Sequence, residues 1–259
     1  MIFFLIFLKY FSNKWIFFIF IANNLNSYKI LSGLFHEKVE LLGFHLNHDF
    51  IKELPVKQLY DGRRKLKFLC IGGLNSISRK NLNIIIDVFS TINNNFNNLS
   101  FEVNIHILGV EKINTEKYNL KNINIFYEQK SYKQILETYI NNDVFIHLGT
   151  QEGLGLGFYE SLYCGTPILT IDWVPNTELI HHNKNGWISS CLYSKNYENT
   201  ISIINKGNII KMEIYSTIIE ILSNTQNTIS IIKDTYYNKL NLYNKNKDYF
   251  NDTFVKILL

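Results

Sequence analysis

Apolar residues along this chain fall into short continuous runs and helically spaced stripes, separated by polar breaks. Read as strands, the runs are KFLCIG from Lys67, EVNIHILG from Glu102, INIFY from Ile123, DVFIHL from Asp143 to Leu148, PILTID from Pro167 and the short GWISS from Gly186. Between them, NLNIIIDVFSTI from Asn81 and SYKQILETYI from Ser131 carry apolar residues at helical spacing, with Asn81 and Ser131 in the cap positions. The run from Phe158 to Tyr163 opens a further helix. Strands with continuous apolar runs, EVNIHILG passing from alternating to buried, that alternate with helices predict an α/β fold, a Rossmann-like parallel sheet covered by helices on both faces, with GWISS as an edge strand. Ligands on such sheets bind beyond the carboxyl ends of the strands. The loops Gly72–Lys80 and Thr150–Gly157 both fall there and are expected to meet across one crevice.

Beyond Asn196 the pattern turns helical. Met212, Tyr215, Ile218, Ile219 and Leu222 form one stripe, and Ile229, Ile232, Tyr236, Leu240 and Tyr243 another. At the other end, MIFFLIFL and WIFFIFIA are apolar runs separated by Lys9, Asn13 and Lys14, with no small-residue cleavage site after them. Two readings stand for residues 1–22: an interfacial or single-span membrane anchor, and a leftover strand and helix of a shortened domain. Each central lysine costs a membrane helix roughly 2.5–3.5 kcal/mol, against roughly 0.3–0.6 kcal/mol gained per apolar residue. Over about sixteen apolar residues the two nearly balance, so both readings stand, the shortened domain by a small margin.

Composition narrows the classes. With 259 residues, 46% of them hydrophobic and 15% aromatic, the chain can bury a sizeable core. Its net charge of +4 comes from lysines scattered among asparagines, without the basic stripe that nucleic-acid binding requires. Cys70, Cys164 and Cys191 make no even disulfide framework, which points to a reducing, cytoplasmic setting. His45, His48 and Asp49 have tolerable zinc spacing, but without a second cluster they read as polar residues at a strand end.

The strongest chemical signal is EGLGLGFYE, Glu152 to Glu160, directly after the strand at Asp143–Leu148. Gly153, Leu154, Gly155 and Leu156 fall at a strand-to-helix junction, where unpaired backbone N–H groups and the helix dipole attract a phosphate. In the loop, Glu152 can accept hydrogen bonds from sugar hydroxyls; one turn into the helix, Glu160 can accept both hydroxyls of a ribose. Taken alone, the glycines would only let helix and sheet pack closely, and they miss the G-x-G-x-x-G dinucleotide spacing.

This segment resembles the E-x7-E signature of retaining GT-B glycosyltransferases, specifically the family 4 or group 1 transferases. Between Asp143 and Trp187 the chain is similar to that family's strand, acidic loop, helix, Gly-Thr-Pro turn, buried strand and later glutamate and glycine, in order. Upstream, FLCIGGLNSISRKN from Phe68 to Asn81 resembles the first strand and its glycine-then-lysine loop. The resemblance implies a donor-binding C-terminal GT-B domain using a nucleotide sugar and retaining anomeric configuration. Gly73 would lie in the donor loop and Lys80, with Arg79 beside it, would meet the diphosphate. Where the family commonly carries an arginine after the first loop glycine, this chain has Gly73 and Leu74.

The same resemblance divides the chain into a shortened N-terminal segment over residues 1–65, a donor domain over 66–195 and a helical tail over 196–259. GT-B transferases do not rely on a bound metal, so neither metal nor cofactor is expected. The acceptor, whether glycan, lipid or protein, is unspecified. Its face of the cleft would come from the N-terminal segment, an adjoining membrane or a partner chain; without it the chain would be a non-catalytic or decayed sugar-nucleotide-binding module.

Overall fold

The computed structural model describes residues 4–8, 17–22, 25–35, 39–46, 54–73, 76–150, 154–174, 176–194 and 206–258. At the N-terminus, strands β1 (Phe4–Leu8) and β2 (Phe17–Ala22) pair antiparallel. After helix α1 (Leu25–Phe35), strand β3 (Val39–Leu41) pairs parallel to β2, completing a three-stranded sheet. The two apolar runs are thus both strands. Among the described residues, no helix is long and apolar enough to cross a membrane.

The main sheet contains β4 (Leu66–Gly72), β5 (Phe101–Ile107), β6 (Ile123–Tyr127), β7 (Val144–His147), β8 (Ile168–Ile171) and β9 (Gly186–Ser189). Their order is β6-β5-β4-β7-β8-β9, every pair is parallel, and GWIS lies at an edge as expected. Alternation within each strand sends side chains to two buried layers. On one face Phe68, Cys70, Val103, Ile105 and Ile146 pack under α3 (Leu82–Asn95), α7 (Lys211–Ser223) and the start of α8 (Thr225–Leu258). On the other, Leu69, Ile71, Phe145 and Ile168 pack under α4 (Tyr132–Ile140) and α5 (Leu156–Tyr163). Because both faces are covered, β4, β7 and β8 read as nearly unbroken apolar runs, whereas β5 alternates and buries its polar Asn104 and His106.

The short helices α2 (Ser76–Arg79) and α6 (Asn176–Leu179) follow β4 and β8. The tail departs from the all-helical expectation. After β10 (Cys191–Ser194), strand β11 (Lys206–Ile209) pairs antiparallel to it before α7 begins, and residues 195–205 lie outside the described residues. The long α8 does two jobs: Ile231 and Ile232 enter the main core, while Tyr243 packs beside Leu46, Tyr159 and Tyr163 and the Tyr249 hydroxyl donates to Leu41 O at 3.1 Å. Gly165, at a φ of 74°, permits the approach of α8, because a Cβ there would meet the Tyr236 Cα at 3.0 Å. All three cysteines are free and buried.

Candidate active site

The order of strands reverses at β4. From it the chain proceeds outward to β5 and β6, then returns to β7 on the other side. At such a switch point the loops leaving the two central strands diverge to opposite faces and open a crevice at the carboxyl edge. The loop after β4 holds Gly73 and Lys80, and the loop after β7 holds the EGLGLG segment.

Asn81 ties the two loops together. It is the N-cap residue of α3, as expected, but it adopts the left-handed conformation, with φ 56°, and its side chain makes no cap bond. The side-chain amide instead donates to Leu148 O at 2.7 Å, across the switch point, while its own carbonyl accepts from the Ile84 and Ile85 amides. Asparagine tolerates this backbone region better than most residues, so position and cross-link are met by one side chain. Ser131 behaves as expected, closing a capping box with Gln134 at the start of α4.

Lys80 reaches back along the crevice. Its ammonium donates to Ile71 O at 2.9 Å, and its charge lies close enough to Glu160 to favour that carboxylate. Arg79 closes α2 beside it, half-buried. A side chain at Gly73 would meet open space, so the backbone there is accessible from the crevice. Glu152 and Gly153 lie outside the described residues. Leu154 follows them half-buried, Gly155 is the N-cap of α5 and Leu156 is exposed at its first turn.

The glycines of the turn have separate reasons. Gly155 has φ 69°, and a Cβ there would fall 2.5 Å from the Phe158 ring. Phe158 in turn packs on the buried His147, ring centroids 4.6 Å apart, so the turn is seated on the end of β7. Gly157 leaves room for a neighbour: a Cβ there would sit 3.2 Å from the Tyr139 hydroxyl. Through that gap Tyr139 Oη donates to Glu160 Oε2 at 3.1 Å. Burial is the main influence on Glu160 and raises its pKa, while the Tyr139 and Tyr132 hydroxyls and Lys80 oppose that rise. The carboxyl group is therefore held by donors yet poorly hydrated, a state in which further hydroxyl donors bind it well.

Beneath the site, Lys57 is 3% exposed. Its ammonium donates to Tyr139 O, to Asn142 O and, at 2.6 Å, to Thr166 Oγ1. Thr166 of the Gly-Thr-Pro turn also donates to Tyr139 O at 2.7 Å. Lysine and turn thus add donors to the carbonyls at and just beyond the end of α4, and they hold the residue whose phenol bonds Glu160. Burial pulls the Lys57 pKa down to about 7, against the opposing charge of Asp143. At the opposite, amino edge of the sheet, Arg64 grips Asp143 through two bonds of 2.6 Å, and Asp143 also accepts from Lys67 N at 2.9 Å, which joins β4 to β7. No local motif singles out Lys57, Arg64, Tyr132 or Tyr139. Only the i, i+4, i+7 spacing of Tyr132, Leu136 and Tyr139 hints that both tyrosines face one way.

Of the residues with zinc-like spacing, His48 and Asp49 lie outside the described residues, and His45 packs on Tyr243 with ring centroids 4.8 Å apart. No group of three or more metal-binding side chains occurs among the described residues.

A six-stranded parallel sheet with its switch point between β4 and β7, a helix-start glycine turn and a half-buried glutamate beside a lysine define a Rossmann-like domain of the GT-B type, and solved structures share it. Staphylococcus aureus TarM superposes with a TM-score of 0.65 at 13% identity, over 92% of this chain and 43% of its own. The sucrose-phosphate synthase of Thermosynechococcus elongatus gives 0.64 at 11%, over 92% and 57%. Anabaena HepE, solved with UDP-glucose, gives 0.58 at 14%, over 92% and 62%. The chain thus spans about half the length of the structures it matches. The profile of the group 1 glycosyl transferases matches residues 57–208, and the chain belongs to that family, as its C-terminal GT-B domain. No curated protein sequence matches it.

Proposed function

We propose that this domain binds a nucleotide-activated sugar in the switch-point crevice and transfers the sugar, with retention of anomeric configuration, to a glycan, lipid or protein acceptor. The observation that carries the reading is the convergence of Glu160 and Lys80 from two loops that Asn81 ties together. HepE, a structural neighbour solved with UDP-glucose, supports a nucleotide sugar as donor.

Breaking the bond between the anomeric carbon and the diphosphate develops negative charge on the leaving group and positive charge on the sugar ring. In this reading Lys80, with Arg79 beside it, meets the growing negative charge, aided by the accessible backbone at Gly73 and the amides from Gly153 to Leu156. Glu160 accepts the ribose hydroxyls and Glu152 orients the donor sugar. No metal is required, because lysine and helix-start amides supply the positive potential.

The test is mass-spectrometric screening of the purified chain against a panel of nucleotide sugars, with and without acceptors. A mass increase of one glycosyl unit on an acceptor supports transfer. Donor binding without any product would make the domain a binding module, and no retention of any nucleotide sugar would remove the reading.

A further inference from the structure

We propose that Tyr139 and Tyr132 are the positioning residues of Glu160, holding its carboxylate in the orientation that selects a ribose over a deoxyribose nucleotide. This inference rests on the reading of Glu160 as the ribose acceptor.

The geometry singles out Tyr139. Its side chain is 2% exposed, its ring stands edge-on to Phe145 with centroids 5.0 Å apart, and its carbonyl is fixed by Lys57 and Thr166. With ring and backbone both immobile, the phenol has one place to direct its proton, and Glu160 Oε2 is there at 3.1 Å. Gly157 keeps the path clear, since even a methyl group there would press on the hydroxyl at 3.2 Å. Tyr132, seven residues earlier on the same helix, brings a second, half-buried phenol to the same carboxyl group.

Such an arrangement does more than fill space. Glutamate has three rotatable bonds, and a carboxylate that must accept two vicinal hydroxyls gains affinity only if its plane is set in advance. Donors on one side set it, and the remaining acceptor capacity faces the ligand. The charged and titratable groups facing Glu160 are Tyr139 and Tyr132 from α4, Lys80 from the loop after β4, and Cys164 at the end of its own helix. Both phenols favour the ionised form, Tyr139 through its hydrogen bond, so removing either one makes the carboxylate easier to protonate.

The experiment is calorimetric titration of the full chain, wild type and the variants Tyr139→Phe, Tyr132→Phe and Glu160→Gln, between pH 5 and pH 8. The probes are the tightest-binding of UDP, GDP and ADP and its 2′-deoxy counterpart. Each phenylalanine variant is expected to lose about five- to tenfold in affinity for the ribonucleotide, to narrow its preference over the deoxynucleotide, and to lose affinity on acidification at a higher pH than wild type. A purely structural role would weaken both nucleotides equally and leave the pH limb in place, and that result overturns the proposal. If Tyr139→Phe does not fold, Tyr132→Phe decides in the same way. If Glu160→Gln binds like wild type, the ribose role of Glu160 itself is wrong. If Glu160→Gln loses the ribose preference while both tyrosine variants keep it, the positioning role alone is wrong.

Discussion

Replacing Lys57 by methionine tests how the end of α4 is held. The substitution keeps an unbranched chain in the same space but removes an ammonium with three oxygen partners: Tyr139 O, Asn142 O and Thr166 Oγ1. Tyr139 O retains the Thr166 hydroxyl, whereas Asn142 O loses its lysine donor. Burial lowers the Lys57 pKa from 10.5 to about 7, so above pH 7 the unfolded chain binds a proton that the folded chain has released. Stability contributed by this group is therefore present at high pH and lost as pH falls toward 7. Integrated between pH 7 and pH 9, the difference amounts to about 2 kcal/mol. Urea unfolding of both proteins across that range provides the assay. Groups common to both, including the buried cysteines, cancel when the two curves are subtracted. Wild type is expected to gain about 2 kcal/mol on Lys57→Met from pH 7 to pH 9. A flat difference would refute the reasoning and show that the three oxygens and Asp143 keep the ammonium charged throughout.

Two further outcomes follow from the loops. Lys80→Ala should lower turnover more than Arg79→Ala, because Lys80 carries its charge beside Glu160 and leaving-group charge grows in the transition state; steady-state kinetics with the donor found by screening would exchange the two roles if Arg79→Ala proved more damaging. Gly155→Ala should destabilise the fold by about 1–3 kcal/mol in urea unfolding, since it combines left-handed strain with a contact on Phe158, and an unchanged midpoint would mean that the turn rearranges freely.

The sheet was legible because its strands are buried on both sides. Largely apolar runs at Leu66–Gly72, Val144–His147 and Ile168–Ile171 leave little alternative, and the helices between them force parallel pairing. That the loops after β4 and β7 share one edge was legible for the same reason, since alternating strands and helices determine which loops lie together. What escaped was set by contacts distant in sequence. Lys57 meets Asn142 and Thr166 across 85 and 109 positions, and a lysine in a loop carries no sign that it will be buried. Asn81 holds the cap position that the local pattern marks, but its side-chain bond goes to Leu148, 67 residues on, which no local pattern encodes. The room that Gly157 leaves for Tyr139 depends on how α4 and α5 pack, which no local pattern encodes. At the N-terminus both apolar runs could serve strand, helix or membrane, and it is their mutual pairing, Phe4 with Ile21 through Leu8 with Phe17, that selects strand.

The central claim is that one crevice, between the loops after β4 and β7, receives a nucleotide sugar. A crystal structure of the chain soaked with UDP-glucose, or with whichever donor the screen retains, tests it most directly. The ribose is expected within hydrogen-bonding distance of Glu160 and the diphosphate between Lys80 and the start of α5. A nucleotide bound elsewhere, for instance in the pocket of about 270 Å³ lined by Lys65, Asn93, Phe96 and Lys121 at the opposite edge of the sheet, would contradict it.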